Sequence, residues 1–261
     1  MISHDLIERC AVHPDWRELL AQACGGLERE YIDSLLQDTR WLPGADRLLA
    51  AFRRDRAGVR YLLIGESPYP RPESANGIAF YDAAVNQLWS DKGLSDKGLS
   101  KAVNRATSLR NIIKTALLAE GLVLPDEAGK ITQDAIAGLD KRALIQTLPA
   151  LFDNLETAGF LMLNATPVLH PERKPAVEAR YWQAFLESLL ALVAQHSTRR
   201  ITLLLWGKIA TLVKAMPASR HYDQLVCEHP YNISFIDNPD MQRLFAQLRV
   251  LQAPAAALAD N

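Results

Sequence analysis

The sequence is poor in cysteine. Only Cys10, Cys24 and Cys227 occur in 261 residues, scattered, with no CxxC pair and no spacing that suits a metal. A disulfide framework, an iron–sulfur cluster and a cysteine-based zinc site are therefore not expected, and the reading calls for no cofactor and no metal. A charge of one sign is also missing: 29 Lys and Arg stand against 30 Asp and Glu, a net charge of −1. No global field draws the chain to nucleic acid or to a membrane, so any nucleic-acid contact has to come from a local basic face. Long apolar runs are absent too. None approaches the ~18 residues of a membrane span, and the start MISHDLIERC lacks a charged segment followed by an apolar one. These absences predict a soluble, cytoplasmic protein with reduced thiols and no membrane partner.

What is present is enough apolar material, 49% of residues, for a sizeable core, and residues 1–261 are read as one domain. Four short apolar runs each end in a polar or glycine-containing turn: RYLLIGES, GFLMLNAT, ITLLLWGK and QLVCEHPY. Runs of this kind suit strands covered on both faces, as in a parallel sheet. Between them lie segments of helical spacing: ADRLLAAFRRD, SLRNIIKTALLAEG, KRALIQTLPALFDNLETAG, ARYWQAFLESLLALVAQH and MQRLFAQLRVLQ. The alternation predicts a three-layer α/β/α fold around a central four-stranded parallel sheet. Ligands of such folds bind beyond the carboxyl ends of the strands. Those ends deliver Glu66 and Ser67, Asn164, Trp206 and Gly207, and His229 and Pro230.

Two stretches read as loop insertions, near 86–104 and 121–143. The first contains SDKGLSDKGLS, an immediate five-residue repeat, read as a surface loop, with a DNA-contacting flap as the alternative. The tail QAPAAALADN reads as frayed.

Several strand-end residues have the chemistry of a binding site. Gly65 permits a sharp turn, and Pro68, Pro70 and Pro72 stiffen the segment that follows, so Tyr69 and Phe80 can form fixed walls for a flat ring. A Pro-rich loop whose aromatics fill a core has the same composition. Asn164 offers a donor and an acceptor, which match one edge of a pyrimidine; an asparagine in that place also suits a turn. His229 precedes a proline, which favours an extended backbone, and can hydrogen-bond a leaving group that gains charge, or be structural. The segment LHPERKP around His170 is a further candidate for phosphate contact. Ser108 stands at a predicted helix start, where a hydroxyl and free N–H groups bind an anion or simply cap the helix.

Taken together these pieces resemble the family 1 uracil-DNA glycosylases. GESPYPRPESANGIAF is similar to that family's G-Q-D-P-Y-H-x-P-x-x-A-x-G-L-A-F, TSLRNI to P-S-L-x-N-I, LMLNAT to L-L-L-N-T, LLLWGKIA to L-L-W-G-x-x-A, and HPYNIS to H-P-S-P-L-S. Five blocks in the family's order are far more specific than any one of them. The resemblance implies an enzyme, expected to be monomeric, that flips a deoxyuridine out of DNA and hydrolyses its N-glycosidic bond. Phe80 would stack on the base, Asn164 would read its edge, and Tyr69 would exclude a 5-methyl group. His229 would stabilise the departing uracil anion. Ile233 would wedge into the base stack, and Ser108, Ser234 and Lys208 would hold phosphates.

The departures fall in the chemistry. Ser67 stands where the family has its catalytic aspartate, Pro70 where it has a histidine, and Glu66 where it has a glutamine; Tyr231 and Asn232 replace a serine and a proline. Iron–sulfur members of the wider superfamily also open this motif with Gly-Glu. Glu66, through a water held by Ser67, is the candidate to supply the missing negative charge. The expectation is a slow or altered glycosylase. The alternatives are a glycosylase for another modified base, for example in phage DNA, and an inactive homologue that binds DNA or a partner.

Overall fold

A computed structural model describes residues 7–90 and 98–254. Within it the chain divides into two compact units, Met1–Ala83 with Gly159–Val226 and Ala84–Ala158 with Cys227–Asn261.

The first unit carries the sheet. Its strands are β1 (Tyr61–Gly65), β2 (Phe160–Asn164), β3 (Thr202–Trp206) and β4 (Asp223–Cys227), in the order β2-β1-β3-β4. β1 pairs in parallel with both neighbours, Leu62 opposite Leu161 on one side and Leu203 on the other, and Gly65 lies opposite Asn164. Side chains alternate between faces along a strand. Leu62, Ile64, Leu161, Leu163, Leu203 and Leu205 therefore share one face, where they join Trp182, Phe185, Leu189 and Leu190 of the 22-residue helix Pro175–His196 in the main core. The opposite face presents Leu63, Met162 and Leu204, also buried, and ends in Gly65, Asn164 and Trp206. An α/β fold built on a parallel sheet is what the apolar runs predicted.

Three expectations are corrected. QLVC forms β4 but is not covered on both faces: most of its residues are exposed, with Val226 at 37%, as befits the edge of the sheet. ADRLLAAFRRD is not an α-helix but two short 3₁₀ turns, Ala45–Arg47 and Ala50–Phe52. The cause is a close approach: a Cβ on Gly77 would lie 1.8 Å from the Arg47 carbonyl oxygen, so that carbonyl is turned toward Gly77. The third is KRALIQTLPALFDNLETAG, whose helix begins only at Leu148, where the Thr147 hydroxyl accepts from the Ala150 N–H and Pro149 occupies the first turn.

Among the described residues the second unit holds the α-helices Lys101–Arg105, Thr107–Ala119, Gln133–Ala137, Leu148–Thr157 and Pro239–Leu248 and the 3₁₀ helix Ile233–Asp237. The predicted insertion at 121–143 thus holds a short helix of its own. The start of the tail is anchored rather than frayed: Asn154 donates to the carbonyls of Val250 and Gln252, and Glu120 accepts from the Leu251 N–H and the Gln252 amide. Most of the SDKGL repeat and the last residues of the tail lie outside the described residues. Among the described residues no helix is long and apolar enough to cross a membrane.

Gly77 is a point on which the first unit is exposed to a single change, because its φ of +85° and the Arg47 carbonyl both exclude a side chain. Gly77→Ala is expected to cost at least about 3 kcal/mol in urea unfolding, through left-handed strain added to a backbone clash. A loss under about 1 kcal/mol would show that the two segments separate easily.

Candidate active site

The carboxyl edge of the sheet is built from the ends of β1 and β2. Their pairing continues past the strands, with the Ala165 N–H donating to the Gly65 carbonyl at 2.8 Å and the Thr166 N–H to the Glu66 carbonyl at 3.0 Å. This ties the turn at Glu66 and Ser67 to the turn after Asn164. Gly65 is required by contact. A Cβ there would lie 2.9 Å from both Asn164 Oδ1 and the Ala79 Cβ, and 3.6 Å from the Phe80 ring.

Asn164, Phe80 and Tyr69 are brought together as predicted. Asn164 is only 6% exposed, yet its side-chain amide makes no hydrogen bond to any described residue. Its polar atoms are not sealed from solvent, so they are open to a ligand. Phe80 sits edge-on to Trp206 with ring centroids 5.1 Å apart, and its φ of +62° is a left-handed conformation that bulky residues rarely adopt. Such strain costs roughly 1–3 kcal/mol and persists where the surroundings over-determine it. Here the Ala79 N–H is held by the Met162 carbonyl, and the Tyr69 hydroxyl reaches the Phe80 carbonyl at 3.5 Å. The intervening Pro-rich loop is closed by an ion pair of 2.8 Å from Arg71 to the buried Asp82. Burial, with Asp82 adding to it, pushes the Tyr69 phenol up to about 12, so it stays neutral.

Glu66, Ser67 and Lys208 are grouped apart from that trio. All three are exposed, and with Thr166 and Gln183 they line a cleft of about 330 Å³ whose floor is Ala165, Val168 and Ile209. The cleft lies on the face of the sheet that packs against the Pro175–His196 helix; Asn164 and Trp206 belong to the other face.

The remaining candidates belong to the second unit. Ser108 is the second residue of the helix Thr107–Ala119, partly buried, and the cap position is Ala106, so Ser108 is not an N-cap. His229 opens a tight turn: its carbonyl accepts from the Asn232 N–H, and its Nδ1 accepts from the Tyr231 N–H at 3.0 Å. In the neutral ring the hydrogen is then on Nε2. Ile233 is 72% exposed and Tyr231 66%, which leaves an apolar side chain beside an aromatic one on the surface of that unit. Ser234 is exposed, but its hydroxyl serves Glu228. Partial burial opposes ionisation of Glu228, and its own backbone N–H, Ser234 and Asn238 together outweigh this and hold it below the ordinary range. A carboxylate at that distance competes with a phosphate for Ser234.

Two further points bear on the sequence reading. His170 is buried and engaged, its Nδ1 accepting from the Glu172 N–H and its Nε2 facing Asp38 at 3.0 Å, while Arg40 joins Asp38 to Glu172. The LHPERKP segment is thus spent on an internal ion network. Asn111, inside TSLRNI, carried no role in the sequence reading, yet it is 1% exposed and donates to the carbonyls of Pro230 and Asn232. The available signal was a pair of polar residues four apart, Asn111 and Thr115, among Leu109, Ile112, Ile113 and Ala116 of one helix. Burial pushes the Cys24 and Cys227 thiols up to about 12 and raises that of Cys10, which favours the protonated thiol at all three.

A model of the uracil DNA glycosylase superfamily matches residues 52–249. Among curated relatives, a uracil-DNA glycosylase of Mycobacterium tuberculosis is 25% identical over 195 residues, covering 75% of this chain and 69% of that protein. One of Corynebacterium glutamicum is 24% identical over 217 residues, covering 80% and 76%. The crystal structure of the wild-type UNG from Nitratifractor salsuginis is similar with a TM-score of 0.87 and 38% identity over 96% of each chain. Mimivirus uracil-DNA glycosylase, at 15% identity and a TM-score of 0.55 over 88% of this chain and 72% of that one, shares the fold.

The neutral phenol at the site has a pH signature. With a folded value near 12 against an unfolded value of about 10, Tyr69 contributes stability below pH ~10 that is lost as pH rises toward ~12. Tyr69→Phe is expected to remove one late step from an ultraviolet phenolate titration and to lose less stability across that window than the parent. A step near the ordinary value instead would mean the ring is open to water.

Proposed function

Since the chain belongs to the uracil DNA glycosylase superfamily, we propose that it is a DNA glycosylase that takes uracil out of the DNA stack and hydrolyses its N-glycosidic bond. The observation that carries this reading is the side-chain amide of Asn164, bonded to no described residue, held against Gly65 beside the strained Phe80 ring. A flat ring stacked on Phe80 presents its edge to that amide, and uracil offers an acceptor and a donor there. Thymine differs from uracil by a 5-methyl group, and Tyr69 is the residue proposed to exclude it.

In the reaction the bond between C1′ and N1 breaks, its electron pair leaves with uracil, and water adds to C1′ with loss of a proton. His229, as the Nε2–H tautomer, supports the role of donor to the negative charge that develops on the base. Ser67 carries no charge to balance the cationic sugar or to take the proton of water. A positioned general base is worth 10²–10⁴ in rate, about 3–5 kcal/mol, so its absence is expected to slow the enzyme rather than abolish catalysis. Glu66, next to Ser67 in the shared cleft, is the proposed substitute. Ile233 and Tyr231 are proposed to contact the stack, Ser108 and Lys208 to contact phosphates, and the partner is DNA engaged by a protein without net positive charge.

The test is base release from single-stranded and duplex oligonucleotides carrying uracil, hypoxanthine, mismatched thymine or modified cytosine, followed by alkaline cleavage of abasic sites. Uracil release that falls at least about 10²-fold in Asn164→Ala, and about 10-fold or more in Glu66→Gln, is expected. Equal rates for Glu66→Gln and the parent would remove Glu66 from the mechanism. Release only from another base would replace uracil as the substrate, and DNA binding without any release would make the chain a binding protein.

A further inference from the structure

Asn111 sits on the Thr107–Ala119 helix at 1% exposure, and both hydrogens of its amide are aimed at one turn: Nδ2 donates to the Pro230 carbonyl at 2.7 Å and to the Asn232 carbonyl at 3.3 Å. Its Oδ1 is buried and accepts nothing. An orphaned buried acceptor is destabilising, and it is present here beside the two bonds that the nitrogen makes. Leucine has the same branching and would remove that acceptor, but it would leave the Pro230 and Asn232 carbonyls without their donor.

The Pro230 carbonyl and the Tyr231 N–H belong to the same planar peptide group. Asn111 donates to the oxygen end of that peptide, and its nitrogen end donates to Nδ1 of His229 at 3.0 Å. Donation to a peptide oxygen polarises the unit and strengthens the hydrogen bond given by its N–H. It also fixes the plane, so the direction of the N–H, and with it the rotation of the imidazole, is set from the helix. The second bond, to Asn232, closes the other side of the turn, whose own N–H returns to the His229 carbonyl at 2.9 Å.

We propose that Asn111 is a positioning residue which, through the Pro230–Tyr231 peptide, holds His229 in its Nε2–H tautomer with the imidazole fixed in rotation. The inference deepens the proposed function, because a leaving-group donor has to carry its hydrogen on the nitrogen that faces the base. The chain of groups lies wholly within the second unit and depends on no bound ligand.

The experiment compares the parent with Asn111→Leu by nitrogen-15 spectroscopy of the His229 ring and by single-turnover kinetics on a uracil oligonucleotide. The parent is expected to show the Nε2–H pattern, and Asn111→Leu a mixture of both tautomers. The rate of the chemical step is expected to fall about 10- to 100-fold, with KM within about twofold, while urea stability falls because the Pro230 and Asn232 carbonyls lose their donor. An unchanged ring pattern in Asn111→Leu overturns the inference whatever the rate. If the parent releases no uracil, the proposed function fails, but the spectroscopic comparison still decides the role of Asn111. Should Asn111→Leu not fold, Asn111→Ala, which adds no branch to the helix, carries the same comparison.

Discussion

The closeness of Gly65 to Asn164 is the constraint on which the site depends. Two parallel strands brought to the same register place these residues side by side at the sheet edge, and the absence of a Cβ on Gly65 leaves room for the asparagine oxygen and the Phe80 ring at once. Any side chain there would meet Asn164 Oδ1 at 2.9 Å. The cost of holding Phe80 at positive φ is then offset by the packed sheet behind it, whose central strands are apolar on both faces. This is the usual economy of a binding site: local strain is carried by a rigid scaffold.

The same edge also separates two kinds of chemistry. Asn164, Phe80 and Tyr69 lie together on one face, and burial keeps the Tyr69 phenol protonated. Glu66, Ser67 and Lys208 line an open cleft on the other face, where charged groups remain hydrated. Hydrogen-bonded turns after β1 and β2 link the two. A reaction that needs a base held against buried side chains and water brought to the neighbouring sugar requires both environments at one edge, and the short Glu66–Ser67 turn is where they meet.

Much of this was legible in the sequence because it rests on short-range patterns. YLLIG, FLMLN and TLLLW are uninterrupted apolar runs, which only a doubly covered strand accommodates, and each became a strand. The residues that follow them were therefore placed at a common edge without further information. What could not be read depends on contacts distant in sequence. The two 3₁₀ turns of ADRLLAAFRRD pack closely against Gly77, some thirty residues later in the chain. β2 and β4 both end the strand order, yet β2 is buried and β4 largely exposed, a difference that depends on what packs over each and that no local pattern records. Asn111 carried no role in the sequence, and its hydrogen bonds to Pro230 and Asn232 join segments more than a hundred residues apart. His170 and Ser234 were read as free to meet phosphate, and their carboxylate neighbours, Asp38 and Glu228, are visible only in the fold.

The central claim is that the site around Asn164 recognises uracil, whatever rate Ser67 permits. Equilibrium binding of the free base tests it without reference to catalysis, using the intrinsic fluorescence of the parent, in which Trp206 lies against Phe80, and of Asn164→Ala. The account predicts saturable binding of uracil, binding of thymine at least about tenfold weaker, a difference of about 1.4 kcal/mol, and no saturable binding by Asn164→Ala. Equal binding of uracil and thymine, or uracil binding unaffected by Asn164→Ala, would contradict it.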